Sequence, residues 1–196
     1  MSKPPTFYIN RNRYIELNSH MSVGFEGYFY GRALKDGKVV REFGASKNLI
    51  TNLGLDSIGT GPLFARMHLG TGTSAPLVTD TALTNFGVNV TLANPSSTSG
   101  IDAGPPTYGW NRMTWTSDVG AVTGVWTEIG ISSQNTNGNL RSHALIVDGG
   151  GSPTSFPVLA DEQFQGTYEF RVYPSIVDVP ASVNLSGTPY DTITRA

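Results

Sequence analysis

Apolar and polar residues alternate over short runs that turn residues separate, and this pattern constrains the fold more than any other feature of the chain. Short alternating runs with turns about every 8–12 residues are typical of antiparallel sandwiches and barrels. The strongest helical signal is short, with Thr51 or Asn52 as its N-cap and its end at Ile58. We therefore predict an all-β protein, an antiparallel β-sandwich of immunoglobulin-like or jelly-roll-like topology with one short helix.

The clearest local signal is Asp36-Gly37, which lies between two runs rich in aromatic and β-branched residues. A two-residue turn at this pair predicts a hairpin. In that register Tyr30 faces Phe43 and Arg32 faces Arg41. Because like charges directly opposite each other are unfavourable, we expect the two arginines to be solvated or to contact an acidic partner.

One stretch, residues 93–109, contains turn residues throughout without periodicity, and it predicts a long exposed loop. Tyr108 and Trp110 lie at its end and are the aromatic residues that a core explains least, so we predict that they contact another molecule. Elsewhere the alternation predicts strands, including a meander around the Asn137-Gly138 turn. These predicted strands are Phe64–Leu69, Val88–Leu92, Asn111–Asp118, Val122–Ser133, Leu140–Asp148 and a last one within Val158–Pro174.

The two ends of the chain lack the apolar density of a domain. We predict extended arms over residues 1–23 and 175–196, stable only on another surface, and one sandwich domain over residues 24–174. The N-terminus has no apolar stretch of the signal-peptide kind, and no segment reaches the ~18 apolar residues that span a bilayer. These features predict a protein made in the cytoplasm that neither enters nor crosses a membrane.

Composition excludes several classes of partner. Charged residues make up 14% of the 196-residue chain and the net charge is −2, whereas a typical globular protein has about 25% charged residues. No cluster of lysine and arginine is present, which disfavours nucleic acid and anionic membranes as partners. The absence of cysteine excludes disulfides and thiolate metal sites.

The motif that most resembles a cofactor site is Gly70-x-Gly72-x-x-Ala75, which has the spacing of a dinucleotide-binding loop. Such a loop must open a helix within a βαβ unit. Here Pro76 follows at once and no helical periodicity comes after it. The sequence therefore predicts a strand that ends in a glycine turn, and no cofactor.

Residues with the chemistry for catalysis are few. No serine lies in a Gly-x-Ser-x-Gly elbow, histidines within alternating strands most often have structural roles, and carboxylates in turns are usually solvated or capping. We predict no enzyme and no catalytic, cofactor or metal site, and we keep a glycan hydrolase that uses Glu128 or Asp161 as a third hypothesis. The candidate catalytic residues are the histidines His20, His68 and His143 and the acids Glu128, Asp161 and Glu162.

Several short motifs follow one another in a definite order. They are Asn48–Thr51, Gly70–Pro76, Thr79–Leu83, Glu128–Gly130, Arg141–Ala144 and Asp161–Tyr173. In this order and spacing the chain resembles a family of tailed-bacteriophage structural proteins, the tail fibre, tail-appendage or adaptor components. The resemblance covers about residues 39–174.

The resemblance implies a non-enzymatic virion component of the tail or neck, made in the bacterial cytoplasm, that anchors or connects fibres. Because the chain has no collagen-like, coiled-coil or β-helical shaft, a short adaptor is favoured. Its expected partners are other virion proteins and further copies of itself, since virion parts assemble as symmetric oligomers. The alternative is a tail-fibre module that binds host-surface carbohydrate. The predicted contact residues are Tyr108, Trp110, Arg32 and Arg41.

Overall fold

The computed structural model describes Tyr8–Ile9, Ile15–Glu16, residues 23–58, 65–90 and 96–174, Val179–Leu185 and Thr188–Thr194. These residues divide into two compact units, Phe25–Val172 and a terminal unit from Met1–Gly24 and Tyr173–Ala196. His20, Phe64, Leu92 and parts of both predicted arms lie outside the described residues. The described strands, in chain order, are β1 Tyr8–Ile9, β2 Ile15–Glu16, β3 Gly24–Lys35, β4 Lys38–Lys47, β5 Leu49–Ile50, β6 Arg66–Gly70, β7 Phe86–Val90, β8 Ser96–Asp102, β9 Tyr108–Thr116, β10 Gly124–Trp126, β11 Glu128–Ser132, β12 Leu140–Leu145, β13 Phe156–Val158, β14 Gln163–Tyr173, β15 Val179–Leu185 and β16 Thr188–Thr194.

The larger unit is an antiparallel β-sandwich of two five-stranded sheets. The first sheet has the order β4-β3-β14-β9-β8 and the second the order β5-β12-β11-β6-β7. Strands β10 and β13 form a separate antiparallel pair. One short helix, α1 at Asn52–Asp56, begins at the N-cap Thr51, whose side chain accepts a hydrogen bond from Gly54 N. The predicted fold class and the short helix are confirmed.

The terminal unit contains two antiparallel pairs of its own, β1 with β2 and β15 with β16. The second pair joins Val179 to Thr194 and Leu185 to Thr188 across its two ends. The predicted C-terminal arm thus includes a hairpin rather than only extended chain.

The core lies between the two sheets and takes large side chains from both. Phe29 and Trp115 come from the first sheet, and Met67 and Ile129 from the second; none is more than 1% exposed. A side chain at Gly166 would overlap the Met67 sulfur, so the first sheet's backbone lies against a second-sheet side chain here. Each fully buried side chain of this size stabilises the fold by about 1.5–3 kcal/mol.

The chain passes from the first sheet to the second at Asn48, between β4 and β5. Its Nδ2 donates to Ser142 Oγ on β12 at 2.5 Å and to the Tyr168 hydroxyl on β14 at 3.1 Å. Burial raises the pKa of Tyr168 to about 12. A buried hydrogen-bonded group therefore joins the two sheets where the chain crosses between them.

The hairpin between β3 and β4 has the predicted turn but not the predicted register. Asp36-Gly37 adopts positive φ at both positions, 50° and 74°, as a type I′ turn requires. A register shift between Leu34 and Ala33 moves the next three pairs by one residue, and a second shift between Gly31 and Phe29 moves the last two pairs by one more. Tyr30 therefore does not face Phe43, and Arg32 does not face Arg41. The pairs that form instead are Arg32 with Glu42, Ala33 with Arg41 and Gly31 with Phe43.

Two other predictions need correction. The predicted loop over residues 93–109 contains β8, whose polar residues Ser96–Asp102 pair with β9 at the edge of the first sheet. A strand that lies at an edge needs no apolar face, which is why the periodicity of the sequence did not predict β8.

The predicted continuous strand Val122–Ser133 is broken at Thr127 into β10 and β11, which belong to different sheets. The break explains why Val125 is 54% exposed although it shares the predicted face of buried Ile129.

Candidate functional site

A buried carboxylate at the start of β11 collects four hydrogen bonds. Glu128 is 0% exposed. Its Oε1 accepts from the backbone N–H groups of Gly72 at 2.9 Å and Asn85 at 2.8 Å, and its Oε2 accepts from Thr84 N at 3.1 Å. The imidazole Nε2 of His143 lies 3.0 Å from Oε2. Burial disfavours the charged carboxylate, but these hydrogen bonds outweigh burial and lower the pKa of Glu128.

The imidazole of His143 links this carboxylate to a second one. Its Nδ1 lies 2.8 Å from Asp80 Oδ2, which also accepts from Leu77 N at 2.8 Å. Only the doubly protonated imidazolium donates to both carboxylates. Burial opposes that charge, yet the hydrogen bonds to Glu128 and Asp80 prevail and raise the pKa of His143. We call Glu128, His143 and Asp80 the buried triad.

The two glycines of the dinucleotide-like motif, Gly70 and Gly72, leave space for the carboxylate of Glu128. A Cβ at Gly72 would lie 2.5 Å from Glu128 Oε1, and one at Gly70 would overlap the same atom. Strand β6 ends at Gly70, as predicted. The chain that follows forms no turn, because Thr71 N donates across to the Asn85 carbonyl. The backbone of this glycine segment does bind an anion, and that anion is the protein's own Glu128.

The buried triad contains the histidine and the acid of a catalytic triad but no nucleophile, and its histidine has no nitrogen left to act as a base. Both nitrogens of His143 face carboxylates, and Glu128 already accepts four hydrogen bonds. The arrangement holds residues 71–85 over the second sheet. Four of the motifs on which the resemblance rests meet at this one network: Gly70–Pro76, Thr79–Leu83, Glu128–Gly130 and Arg141–Ala144.

The second strand histidine, His68, lies on the opposite side of Gly130 from His143, because Gly130 pairs with both residues. His68 is 0% exposed, and burial lowers its pKa. Its Nε2 lies 2.8 Å from the carbonyl oxygen of Gln134. One central strand thus separates a neutral histidine from a protonated one.

The acids at the β13–β14 turn bind cations of the hairpin. Asp161 lies 2.5 Å from the Lys35 ammonium. Glu162 is 2% exposed, accepts from Leu159 N at 2.9 Å and pairs with Arg41. The expectation that these turn carboxylates are solvated or capping is confirmed, because Asp161 is half exposed and Glu162 accepts from a backbone N–H of the turn. Arg41 lies apart from the other predicted contact residues.

The other three predicted contact residues, Tyr108, Trp110 and Arg32, lie on the outer face of the first sheet, the face turned away from the second sheet. The carboxylate of buried Glu169 lies on the same face, among these residues. Glu169 is 0% exposed and accepts from Nε of both Arg112 and Arg171. The Arg112 guanidinium lies over the Trp110 ring, 4.4 Å from its centroid. Stacking of this kind is a cation–π interaction.

The second guanidinium is held between two tyrosines. Arg171 lies 4.3 Å from the Tyr28 ring centroid and 4.7 Å from that of Tyr108. The Tyr108 hydroxyl donates to Asp102 at 3.0 Å. Tyr108 and Trp110, which the sequence predicts to contact another molecule, therefore contact arginines of the same sheet, and the face presents guanidinium groups beside aromatic rings.

A shallow cup of about 300 Å³ opens on this face. The side chains of Arg32 and Arg112 at its wall are 54% and 46% exposed. Arg32 Nε lies 3.5 Å from Glu42, an exposed pair that contributes little to stability. The residues that line the cup are Tyr30, Arg32, Arg112, Thr114, Gln165 and Thr167.

Comparison with protein-family models, curated proteins and solved structures gives no match. Among the described residues, no group of three or more His, Asp or Glu side chains is arranged to hold a metal ion. No described helix is long and apolar enough to cross a membrane.

Proposed function

We propose that the chain is a non-enzymatic structural component of a tailed-bacteriophage virion. It lies in the tail or neck and connects appendages by assembling with further copies of itself and with other virion proteins. The virion setting rests on the ordered motifs of the sequence. Since four of these motifs build one buried network that holds a loop, what the chain shares with tail proteins is a scaffold.

The observation that carries the assembly function is the outer edge of β8, to which no other strand of the described residues pairs. This seven-residue strand contains no lysine, arginine or proline, its one charged residue is Asp102 at its end, and it leaves Ile101 78% exposed. The opposite edge strand β4 carries Lys38, Arg41, Glu42 and Lys47. Natural proteins protect edges with charges or proline because an unprotected edge can pair with another strand. We infer that β8 adds to a sheet of a neighbouring subunit.

The assembly function is tested by placing a charge on that edge in the full-length chain. Ile101→Lys should convert an oligomer into a monomer in light scattering without loss of thermal stability. Leu77→Lys is the matched control, since Leu77 is 59% exposed in a loop, and it should leave the mass unchanged. A wild-type monomer, or an oligomer that survives Ile101→Lys, contradicts assembly through β8.

The virion setting needs a separate experiment. Antibodies raised against the purified chain should detect it in gradient-purified tail particles from the bacterium that encodes it. Removal of residues 175–196 should abolish incorporation while the circular dichroism spectrum of the β-sandwich persists. Absence of the full chain from purified particles excludes a virion component.

The outer face of the first sheet favours a second function, the binding of host-surface carbohydrate. The cup is a concave site whose lining residues all carry polar groups, two of them arginines, and aromatic rings lie beside it. Side chains of these types can hydrogen-bond the hydroxyls of a sugar. Trp110→Ala removes the ring under Arg112 and should weaken glycan binding. If the chain binds host-cell glycans saturably and Trp110→Ala leaves that binding unchanged, the glycan site does not lie at Trp110.

A further inference from the structure

We infer that the cup binds a carboxylate-bearing sugar unit of a host-surface polysaccharide, held by Arg32 and Arg112. This inference rests on the second function proposed above and names its ligand class. It follows from three features: what covers the aromatic rings, how the guanidinium groups are oriented, and what else lines the cup.

The aromatic rings are already in contact with cations. Arg112 covers one face of Trp110, and Arg171 lies between Tyr28 and Tyr108. A neutral sugar that stacks on aromatic rings needs those faces. The groups that this surface offers to a ligand are instead guanidiniums, whose planar fork matches a carboxylate.

Buried Glu169 orients these guanidinium groups. It accepts from Nε of Arg112 and of Arg171, so the two guanidiniums share one carboxylate. Within the described residues the terminal nitrogens of Arg112 make no hydrogen bond. Arg32 adds a second half-exposed guanidinium at the same cup, with only a 3.5 Å contact to Glu42. The cup therefore holds two guanidiniums, and Glu169 fixes the orientation of the one on Arg112.

The rest of the lining suits a hydroxyl-bearing ring rather than a bare anion. Thr114 and Thr167 lie side by side with their hydroxyls 2.9 Å apart, and Gln165 and Tyr30 add an amide and a phenol. These groups both donate and accept, whereas a simple anion needs donors alone. A volume of about 300 Å³ lies at the small end of ligand pockets, which span roughly 300–1,000 Å³. The size fits a single sugar unit.

The test measures equilibrium binding of the full chain to two acidic glycans and their neutral counterparts. The probes are trigalacturonate against the same trisaccharide with its carboxyl groups reduced, and sialyllactose against lactose. We expect at least one acidic glycan to bind at least tenfold more tightly than its counterpart. Tetraglutamate supplies carboxylates without sugar and should bind at least tenfold more weakly than that glycan.

Variants then assign the binding to the cup. Arg32→Gln should weaken acidic-glycan binding at least tenfold, and because Arg32 is half exposed this variant folds normally. Lys38→Gln removes the same charge at the exposed hairpin tip and should change binding less than twofold. Arg112→Lys keeps the charge but loses the fork, and it should also weaken binding.

The other possible results separate the acidic ligand, the carbohydrate site and the cup from one another. Preference for the neutral glycans overturns the acidic ligand and leaves carbohydrate binding in place. No binding of any glycan overturns both. Equal binding of tetraglutamate, or equal losses in Arg32→Gln and Lys38→Gln, shows a general electrostatic attraction and overturns the sugar site.

Discussion

The backbone N–H of Gly72 donates to Glu128 Oε1 at 2.9 Å across 56 residues of sequence. A Cβ at position 72 would lie 2.5 Å from that same oxygen. Glycine is required here for space, because a side chain would displace the carboxylate from its backbone donors. Glycine loops that bind phosphate use the same backbone approach, but here the buried triad supplies the charge.

Gly72→Ala should therefore destabilise the protein by about 2–4 kcal/mol, since the buried carboxylate would lose well-formed hydrogen bonds. Urea unfolding followed by tryptophan fluorescence measures the change. Gly44→Ala is the matched control, because a Cβ at Gly44 meets nothing within 4 Å. Gly44 also lies in a strand, so its replacement should be neutral or slightly stabilising. Equal effects at the two positions would contradict the close approach.

Glu128→Gln should also cost about 2–4 kcal/mol of unfolding free energy, because an amide nitrogen cannot accept from the backbone N–H groups that now face the carboxylate. The replacement keeps the shape and removes the charge that holds His143 protonated. Glu42→Gln serves as the control, since the Glu42 side chain is 65% exposed. A loss no greater than that of Glu42→Gln would show that the network contributes little.

The buried triad predicts a specific pH dependence of stability. The folded pKa of His143 is raised above its ordinary 6.5, so its contribution is fully present below pH 6.5 and is lost as pH rises through the folded pKa. The folded pKa of Glu128 is lowered below 4.5, so its contribution is present above pH 4.5 and is lost as pH falls through the folded pKa. The cost of His143→Gln, measured by urea unfolding, should be largest between pH 4.5 and pH 6.5 and should fall as the pH rises through the folded pKa of His143.

His68 provides a control, because its contribution to stability should change with pH in the opposite direction to that of His143. Its folded pKa lies below 6.5 because of burial, so its neutral form contributes stability above pH 6.5 that is lost as pH falls. As the pH falls from above 6.5 to 4.5, the cost of His68→Gln should therefore shrink, while that of His143→Gln should not. Parallel pH profiles for the two variants would refute the assigned protonation states.

The fold class could be predicted from sequence because core strands alternate and their turns carry recognisable residues. The Asp36-Gly37 turn and the Thr51 cap are local features, and both were predictable. The register beyond the turn was not, because one shifted pair replaces Arg41 with Glu42 opposite Arg32. Strand β8 escaped prediction because Ile101 is its only large apolar residue, so it shows no alternation, and its pairing with β9 makes it a strand.

The buried triad could not be derived from spacing, because its members come together only through the sheet pairing of β11 and β12 and the loop above them. One signal was present: Glu128 is an acid in the middle of the apolar run "VWTEIGIS". A carboxylate in a buried strand requires donors, and backbone N–H groups beside glycines can supply them. On the outer face, sequence singled out Tyr108 and Trp110 but not the arginines they hold.

Substitution of Asn48, which lies where the chain passes from the first sheet to the second, measures how much its buried amide stabilises the protein. Asn48→Ala removes the hydrogen bonds to Ser142 and Tyr168 and should lower the unfolding free energy by about 2–4 kcal/mol, since buried polar groups lose a partner. Tyr168→Phe, which removes only one hydroxyl, should cost about 1–2 kcal/mol. Because the two residues share a hydrogen bond, the double variant should cost less than the sum of the singles. Strict additivity in urea unfolding would mean that the hydrogen bond between Asn48 and Tyr168 contributes no coupling energy, and an Asn48→Ala variant as stable as the wild type would mean that apolar packing alone joins the sheets.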